Sequence, residues 1–162
     1  MKNKKFLLIT SRFNEDITGR LTQGARETLL EEGVPRECID ELSVPGAFEL
    51  SSVAASAAAK GRWDAIICLG SLIQGETDHY HYICDAVANG LTLVGIQYKM
   101  PVIFGVLTTH NKKQALERVS LEYTDRETRE DGSIKVRNKG KETAIAALLT
   151  LKTLGEIDVF GA

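Results

Sequence analysis

Runs of residues typical of buried β-strands alternate with helix-like runs along most of this chain. The strand-like runs are residues 6–10, 38–44, 65–69 and 102–107. The helix-like runs between them are residues 17–32, 47–60 and 77–89, and further helical segments follow the last strand. Gly33 and Gly61 follow two of these helices, as expected of C-terminal stops. This order predicts an α/β sandwich built around a mainly parallel sheet.

Ligands of such sheets bind beyond the carboxyl ends of the strands, so the segments after the strands are the candidate site. The third of these segments, residues 70–79, is the most informative. We expect the strand to end at Gly70, and residues 75–77 then offer backbone N–H groups to an anion where a helix begins. His79 lies in the first turn of that helix and titrates near neutral pH. The junction therefore predicts an anion site beside a proton-transfer residue.

Composition narrows the class of protein. The 162 residues suit one domain spanning 1–162, and a net charge of −2 does not indicate a nucleic-acid or membrane partner. Cys38, Cys68 and Cys84 are widely spaced, and we interpret all three as reduced thiols of a cytoplasmic protein. The apolar run 6–9 is too short for a signal peptide. We expect a protein that acts on small molecules.

Cofactor and metal motifs are not evident. No G-x-G-x-x-G follows the first strand, and residues 138–143 lack the spacing of a phosphate-binding P-loop, which disfavours a nicotinamide or ATP enzyme. His81 and Asp85 share a helix face, but His79 and His81 do not, and no second ligand cluster accompanies them. The sequence therefore predicts no metal site.

Each candidate residue also has a purely structural interpretation. His79 could simply form local hydrogen bonds at a helix start, and Arg118 could be a solvated helix charge. Phe13 and Phe48 could be core residues. Glu49 could serve the dipole of the helix that follows it. The residues alone leave these alternatives open.

Three segments bear on packing and assembly. Residues 50–59 contain no charged side chain and five alanines, so we expect another subunit to cover this helix. Residues 91–98 fit either a strand or the end of the preceding helix. Residues 122–133 are strongly polar and predict an exposed loop or a frayed helix extension.

Six short segments carry a further signal. They are Arg12-Phe-Asn14, Val44-Pro-Gly-Ala-Phe-Glu49, Leu69-Gly-Ser-Leu-Ile-Gln-Gly-Glu-Thr-Asp-His79, Pro101-Val-Ile-Phe-Gly-Val-Leu-Thr-Thr109, Gln114-Ala-Leu-Glu-Arg118 and Asn138-Lys-Gly140. In this order they resemble the lumazine synthase family over nearly the whole chain. The resemblance implies a flavodoxin-like, three-layer sandwich with a mainly parallel four-stranded sheet and helices on both faces. It also makes residues 77–98 one long helix.

The resemblance implies an activity in riboflavin biosynthesis. The reaction would condense 5-amino-6-(D-ribitylamino)uracil with 3,4-dihydroxy-2-butanone 4-phosphate to give 6,7-dimethyl-8-ribityllumazine, phosphate and water. It needs proton transfer and positioning, but no metal or cofactor. A non-catalytic flavin- or pyrimidine-binding module and a shell subunit are the alternatives on the same scaffold.

The resemblance also assigns roles to residues. His79 would transfer protons, and Arg118 would hold the phosphate with the backbone amides of Glu76 and Thr77. Phe13 would stack on the pyrimidine. The other substrate contacts would be Asn14, Ala47, Phe48, Glu49, Ser71, Leu72, Ile73, Phe104 and Lys139.

The implied assembly is a homopentamer with active sites between adjacent subunits. Phe104, Arg118 and Lys139 would reach each site from the neighbour, and the charge-free helix would line a fivefold channel. The chain departs from the family at Gln74, where many members carry arginine, and by an insertion at about 119–134. We expect the insertion to prevent pentamers from closing into a shell.

Overall fold

The computed structural model describes residues 3–121, 127–128, 134–135 and 138–160. The strands are β1 (Phe6–Ser11), β2 (Ile39–Val44), β3 (Ala65–Ile73), β4 (Val102–Thr109), β5 (Glu127–Thr128) and β6 (Ile134–Lys135). The α-helices are α1 (Glu15–Glu31), α2 (Leu50–Ala58), α3 (His79–Tyr98), α4 (Lys112–Glu117) and α5 (Lys139–Phe160). Single 3₁₀ turns occupy Arg36–Cys38 and Ala47–Glu49.

Strands β1 to β4 form one all-parallel sheet in the order β2-β1-β3-β4. The chain runs from β1 to one edge of the sheet and then returns to the other side of β1. The direction of winding therefore reverses between β1 and β3. A crevice opens at such a switch point beyond the carboxyl ends of the strands, and ligands bind there. The predicted flavodoxin-like α/β fold is confirmed.

Both faces of the sheet are covered by helices. Alternate residues of β1 point to opposite faces, so Phe6 and Leu8 pack with α1 and α5, whereas Leu7 and Ile9 pack with α2 and α3. All four side chains are fully buried. This burial on both faces explains why the strands read as continuous apolar runs, and it gives the predicted three layers.

Helix α3 resolves the ambiguous stretch in favour of a helix. It continues without interruption to Tyr98, and its buried residues include Leu91 and Val94, which pack toward the sheet. The predicted helix stops also hold, since Gly33 and Gly61 have φ angles of 80° and 60°. Only glycine adopts such angles without a steric cost.

Several predicted boundaries are wrong. Strand β3 does not end at Gly70 but continues to Ile73, because its last residues pair with β4 as far as Thr109. Strand β2 begins at Ile39, so Cys38 lies in a 3₁₀ turn rather than in a strand. Helix α3 begins at His79, not at residue 77.

The insertion starts and ends at one place. The backbone N–H of Lys139 donates to the carbonyl of Arg118 at 2.8 Å, and Val119 forms an antiparallel bridge with Asn138. Asn138 is fully buried, donates to the carbonyl of Ser120 and accepts from the N–H of Gly140. Most of the polar segment 122–133 lies outside the described residues. Residues 127–128 of this segment form β5, which pairs with β6, so these two residues are not a helix extension.

Candidate active site

A cavity of about 590 Å³ opens at the switch point, beyond the ends of β1 and β3. Its size is typical of small-molecule sites, which span about 300–1,000 Å³. The predicted site residues that line it are Phe13, Asn14, Ala47, Phe48, Glu49, Ser71, Leu72, Ile73, Thr77 and His79. Glu76 is exposed in the loop between β3 and α3 and does not line this cavity.

Two phenylalanines of this cavity are exposed. Phe13 is 70% accessible and Phe48 is 57% accessible. Their interpretation as core residues is therefore wrong. Covering a large exposed apolar ring with a flat ligand lowers the free energy, because it removes apolar surface from water. An aromatic ligand adds a favourable stacking contribution. The pair gives the cavity two aromatic surfaces suited to a planar heterocycle.

Asn14 connects two strand ends across the cavity. It has a left-handed backbone (φ 61°, ψ 50°) and precedes α1 without capping it, because its side-chain amide instead donates to the carbonyl of Ser71 at 3.0 Å. Asparagine tolerates this conformation better than most residues. The contact ties the turn after β1 to the last residues of β3.

Glu49 has a local structural role. One of its carboxylate oxygens accepts a hydrogen bond of 2.9 Å from the backbone N–H of Gly46, which caps the 3₁₀ turn before α2. This agrees with the helix-start interpretation of Glu49. The contact also fixes Ala47 and Phe48, which lie between the two bonded residues, at the wall of the cavity.

His79 is the first residue of α3 and is exposed at the cavity. Tyr80 and Ile83 line the cavity with it, and the sequence analysis missed both. The i, i+4 spacing of His79 and Ile83 on a helix could have identified Ile83. Burial raises the pKa of Tyr80, and the neighbouring Cys84 raises it further.

A second cavity, of about 1,390 Å³, lies against β4, α4 and the start of α5. Phe104, Arg118 and Lys139 line it, and so do Lys112 and Lys113. The three lysines and the arginine make the cavity basic. Its cations are suited to a phosphate group, which arginine binds with two parallel hydrogen bonds.

The cations of this cavity differ in how they are paired. Lys112 contacts Asp16 at 2.7 Å and lowers the pKa of that carboxyl by hydrogen bonding. Lys139 contacts Glu142 at 2.6 Å. Arg118 instead donates to the backbone carbonyl of Gln114 at 2.9 Å, and it pairs with no carboxylate of the described residues. Lys113 likewise pairs with no carboxylate of the described residues, so the charges of Arg118 and Lys113 are the ones most available to an anion.

The two cavities share no lining residue. His79 and the exposed rings of Phe13 and Phe48 line the first, whereas Phe104, Arg118 and Lys139 line the second. Apart from Glu76, which lines neither cavity, the predicted site residues therefore fall into two groups within one chain. The sequence analysis assigns the second group to a neighbouring subunit, and this assignment stays a prediction.

Two further kinds of feature are absent from the described part of the chain, a metal-binding cluster and a membrane-spanning helix. No group of three or more His, Cys, Asp or Glu side chains there is arranged to hold a metal ion. Across the same residues, no helix is both long enough and apolar enough to cross a membrane. His81 packs its ring edge-on against Tyr80, and the three cysteines are unpaired, with Cys68 buried in the sheet.

The doubly wound sheet and its cavities define a flavodoxin-like α/β protein with a small-molecule site at the switch point. Residues 3–154 match the model of the family described as 6,7-dimethyl-8-ribityllumazine synthase. Because this match covers nearly the whole chain, the protein belongs to the 6,7-dimethyl-8-ribityllumazine synthase family. Membership indicates a transferase-type enzyme of riboflavin biosynthesis.

Proposed function

We propose that the protein condenses 5-amino-6-(D-ribitylamino)uracil with 3,4-dihydroxy-2-butanone 4-phosphate to form 6,7-dimethyl-8-ribityllumazine, phosphate and water. One substrate is a flat heterocycle and the other carries a phosphate. The observation that carries the proposal is the presence of an aromatic cavity with a histidine and of a basic cavity on the same chain. Each cavity has the chemistry that one of the substrates requires.

The pyrimidine would bind in the first cavity. Phe13 would stack on its ring, and the end of β3, residues 71–73, would contact its edge. The ribityl chain would lie against residues 47–49, where the hydrogen bond from Gly46 to Glu49 holds the backbone in place. Burial of the two exposed phenylalanine rings would supply much of the binding free energy.

His79 would move the protons of the reaction. Imine formation, loss of phosphate and ring closure each shift a proton, and a histidine is effective at neutral pH because its ordinary pKa lies close to it. The phosphate would bind to the backbone amides of Glu76 and Thr77, at the start of α3, and to Arg118. Arg118 would thus sit near His79 in the complete site.

A complete site then needs two copies of the chain. The basic cavity of one subunit would face the aromatic cavity of the next, and a closed ring of five would repeat this heterologous contact. Exposed apolar side chains on α3 and α5 support such contacts. They are Leu93, Ile96, Leu149 and Ile157, each more than half accessible in the single chain. The small, uncharged outer face of α2 would be covered in the same ring.

The direct test is to mix both substrates with the purified protein and follow lumazine fluorescence. Product formation without added metal, and in the presence of a chelator, supports the proposal. Binding of the pyrimidine with no turnover would instead identify a non-catalytic binding module. Loss of activity in chelator that one divalent ion restores would contradict the metal-free mechanism.

Mixing two impaired variants tests whether sites are shared. His79→Ala and Arg118→Ala would each damage every site of a homopentamer. In randomly mixed pentamers about a quarter of the interfaces would combine an intact His79 with an intact Arg118 from the neighbour, so activity should return to that extent. A mixture of His79→Ala with His79→Gln is the control and should show no recovery of activity. No recovery in the first mixture would mean that both residues serve the same subunit's site.

A further inference from the structure

The loop between β3 and α3 carries the groups on which the proposed function depends. It spans residues 74–78 and ends at His79, and all of these residues are exposed. Glu76 and Thr77 would offer their amides to the phosphate, while Gly75 and Thr77 line the first cavity. An exposed loop that binds a substrate group needs contacts with the rest of the fold that hold its conformation.

Gln74 anchors the loop at its first residue. Its backbone N–H donates to the carbonyl of Thr109, the last residue of β4, at 2.9 Å. Its side-chain oxygen Oε1 lies 2.6 Å from Nδ1 of His110. An amide oxygen only accepts, so the ring nitrogen is the donor of this bond. Nδ1 carries a proton in the cation and in one neutral tautomer, so this bond can form in either charge state.

His110 is held in turn by α4. The backbone N–H of His110 donates to Oε1 of Gln114 at 3.0 Å, and the backbone N–H of Gln114 donates to Oδ1 of Asn111 at 3.0 Å. The carbonyl of Gln114 receives the hydrogen bond of Arg118. The side chains that follow β3 and β4 thus form one continuous set of hydrogen bonds from the loop to α4.

We propose that Gln74 and His110 are positioning residues that clamp the loop 74–78 onto the carboxyl end of β4. Neither residue lines the first cavity, so neither touches the pyrimidine. The clamp would fix the direction in which the amides of Glu76 and Thr77 point and the place where α3 presents His79. The catalytic consequence rests on the proposed function, whereas the clamp itself does not.

Four variants test the clamp. Gln74→Met has a similar shape but no acceptor, and Gln74→Glu keeps an acceptor. His110→Phe removes the donor, and His110→Asn keeps an N–H group near the position of Nδ1. Gln23→Met is the matched control, because the Gln23 side chain also forms one hydrogen bond, as the donor to Glu27 at 2.8 Å, on a helix remote from the site.

Amide hydrogen exchange of the assembled protein gives the readout that is independent of activity. Gln74→Met and His110→Phe should speed exchange at the amides of residues 74 and 110, which donate to Thr109 and Gln114, and leave the β1 amides unchanged. Gln74→Glu and His110→Asn should restore slow exchange, and the double variant Gln74→Met/His110→Phe should be no faster than either single variant. Unchanged exchange in both disruptive variants would overturn the clamp.

Steady-state kinetics then test positioning. The disruptive variants should lower kcat/KM for the phosphate substrate by about 3- to 10-fold, the factor equivalent to one neutral hydrogen bond, with the KM of the pyrimidine unchanged. Gln23→Met should match wild type. Faster exchange with unaltered rates would overturn the positioning role. An inactive wild-type protein would overturn the proposed function instead, and exchange would still decide whether the clamp exists.

Discussion

The side-chain amide of Asn14 donates to the backbone carbonyl of Ser71 at 3.0 Å from a left-handed backbone conformation. Asn14 occupies the N-cap position of α1, where asparagine usually bonds to the helix. Here Asn14 makes no side-chain cap and has a strained backbone, and its side chain instead joins the ends of two strands. Strain of this kind tends to occur at functional sites.

Asn14 variants can separate backbone strain from the hydrogen bond. Asn14→Gly removes the bond but accepts the positive φ, and we expect it to lower the free energy of unfolding by about 1 kcal/mol. Asn14→Ala adds the cost of a left-handed alanine, about 1–2 kcal/mol more. Urea unfolding measures both, and equal losses for the two variants would contradict the strain. Both variants should raise the KM of the pyrimidine.

The sequence predicts the strands well and their ends poorly. Residues 65–69 are apolar and were recognised as a strand, but Gly70 and Ser71 read as a turn. Pairing with β4 carries the strand three residues further than Gly70, and such pairing is a tertiary effect that periodicity does not contain.

The family resemblance assigns more site residues than the sequence pattern alone could identify. The residues alone indicate the junction at His79, because glycine, a helix start and histidine coincide there. The exposure of Phe13 and Phe48 depends on how the strand ends meet, and the pairing of Gln74 with His110 joins residues far apart in sequence. The division into two cavities likewise emerges only from the assembled fold.

His79→Ala should slow turnover by about 10²- to 10⁴-fold, the usual cost of losing a general acid–base group. Some reaction should persist, because the site still brings the substrates together. Pyrimidine binding, measured by calorimetry, should change little, since the aromatic rings remain. His81→Ala is the control from the same helix and should retain near wild-type turnover. An unchanged rate for His79→Ala would show that His79 does not transfer protons and has only a structural role at the start of the helix.

Arg118→Ala should raise the KM of the phosphate substrate far more than that of the pyrimidine, because only the phosphate loses a charge-assisted contact. Inorganic phosphate should also inhibit the variant less. Arg26→Ala provides the control, since Arg26 contacts Glu41 away from both cavities. If Arg126→Ala or Arg129→Ala produced the phosphate defect and Arg118→Ala did not, Arg118 would not be the phosphate-binding arginine, and the match to the family across the insertion would be wrong.

Gly140→Ala should destabilise the protein. A Cβ atom at Gly140 would collide with the backbone of Leu21, which cannot move aside without shifting α1. We expect a loss of about 1–3 kcal/mol or more in the free energy of unfolding. Gly155→Ala is the matched control on the same helix, because a Cβ there meets no atom within 4 Å. It should leave stability unchanged or raise it by up to about 1 kcal/mol. Equal effects of both changes would contradict the close approach of α1 and α5.

The last prediction concerns assembly. We expect free pentamers of the 17.8 kDa chain, or at most pairs of pentamers, rather than closed shells. A shell requires pentamers to meet at one fixed angle, and in the family this contact lies near the joint between the last two helices. Here the insertion enters and leaves at that joint, where Arg118 and Lys139 are hydrogen-bonded neighbours. Its acidic residues include Asp125, Glu127, Glu130 and Asp131, which would repel a facing copy.

Sedimentation and electron microscopy at neutral pH distinguish these outcomes, and closed shells of the intact chain would refute the prediction. Deletion of residues 122–133 tests the cause. The buried Asn138, which bonds to both Ser120 and Gly140, should still join the two ends after the deletion. The shortened chain should therefore remain folded and pentameric, and shells formed by it alone would identify the insertion as the barrier. If charge rather than bulk is the barrier, replacing the four acidic residues by their amides should have the same effect, because it removes the repulsion and keeps the volume.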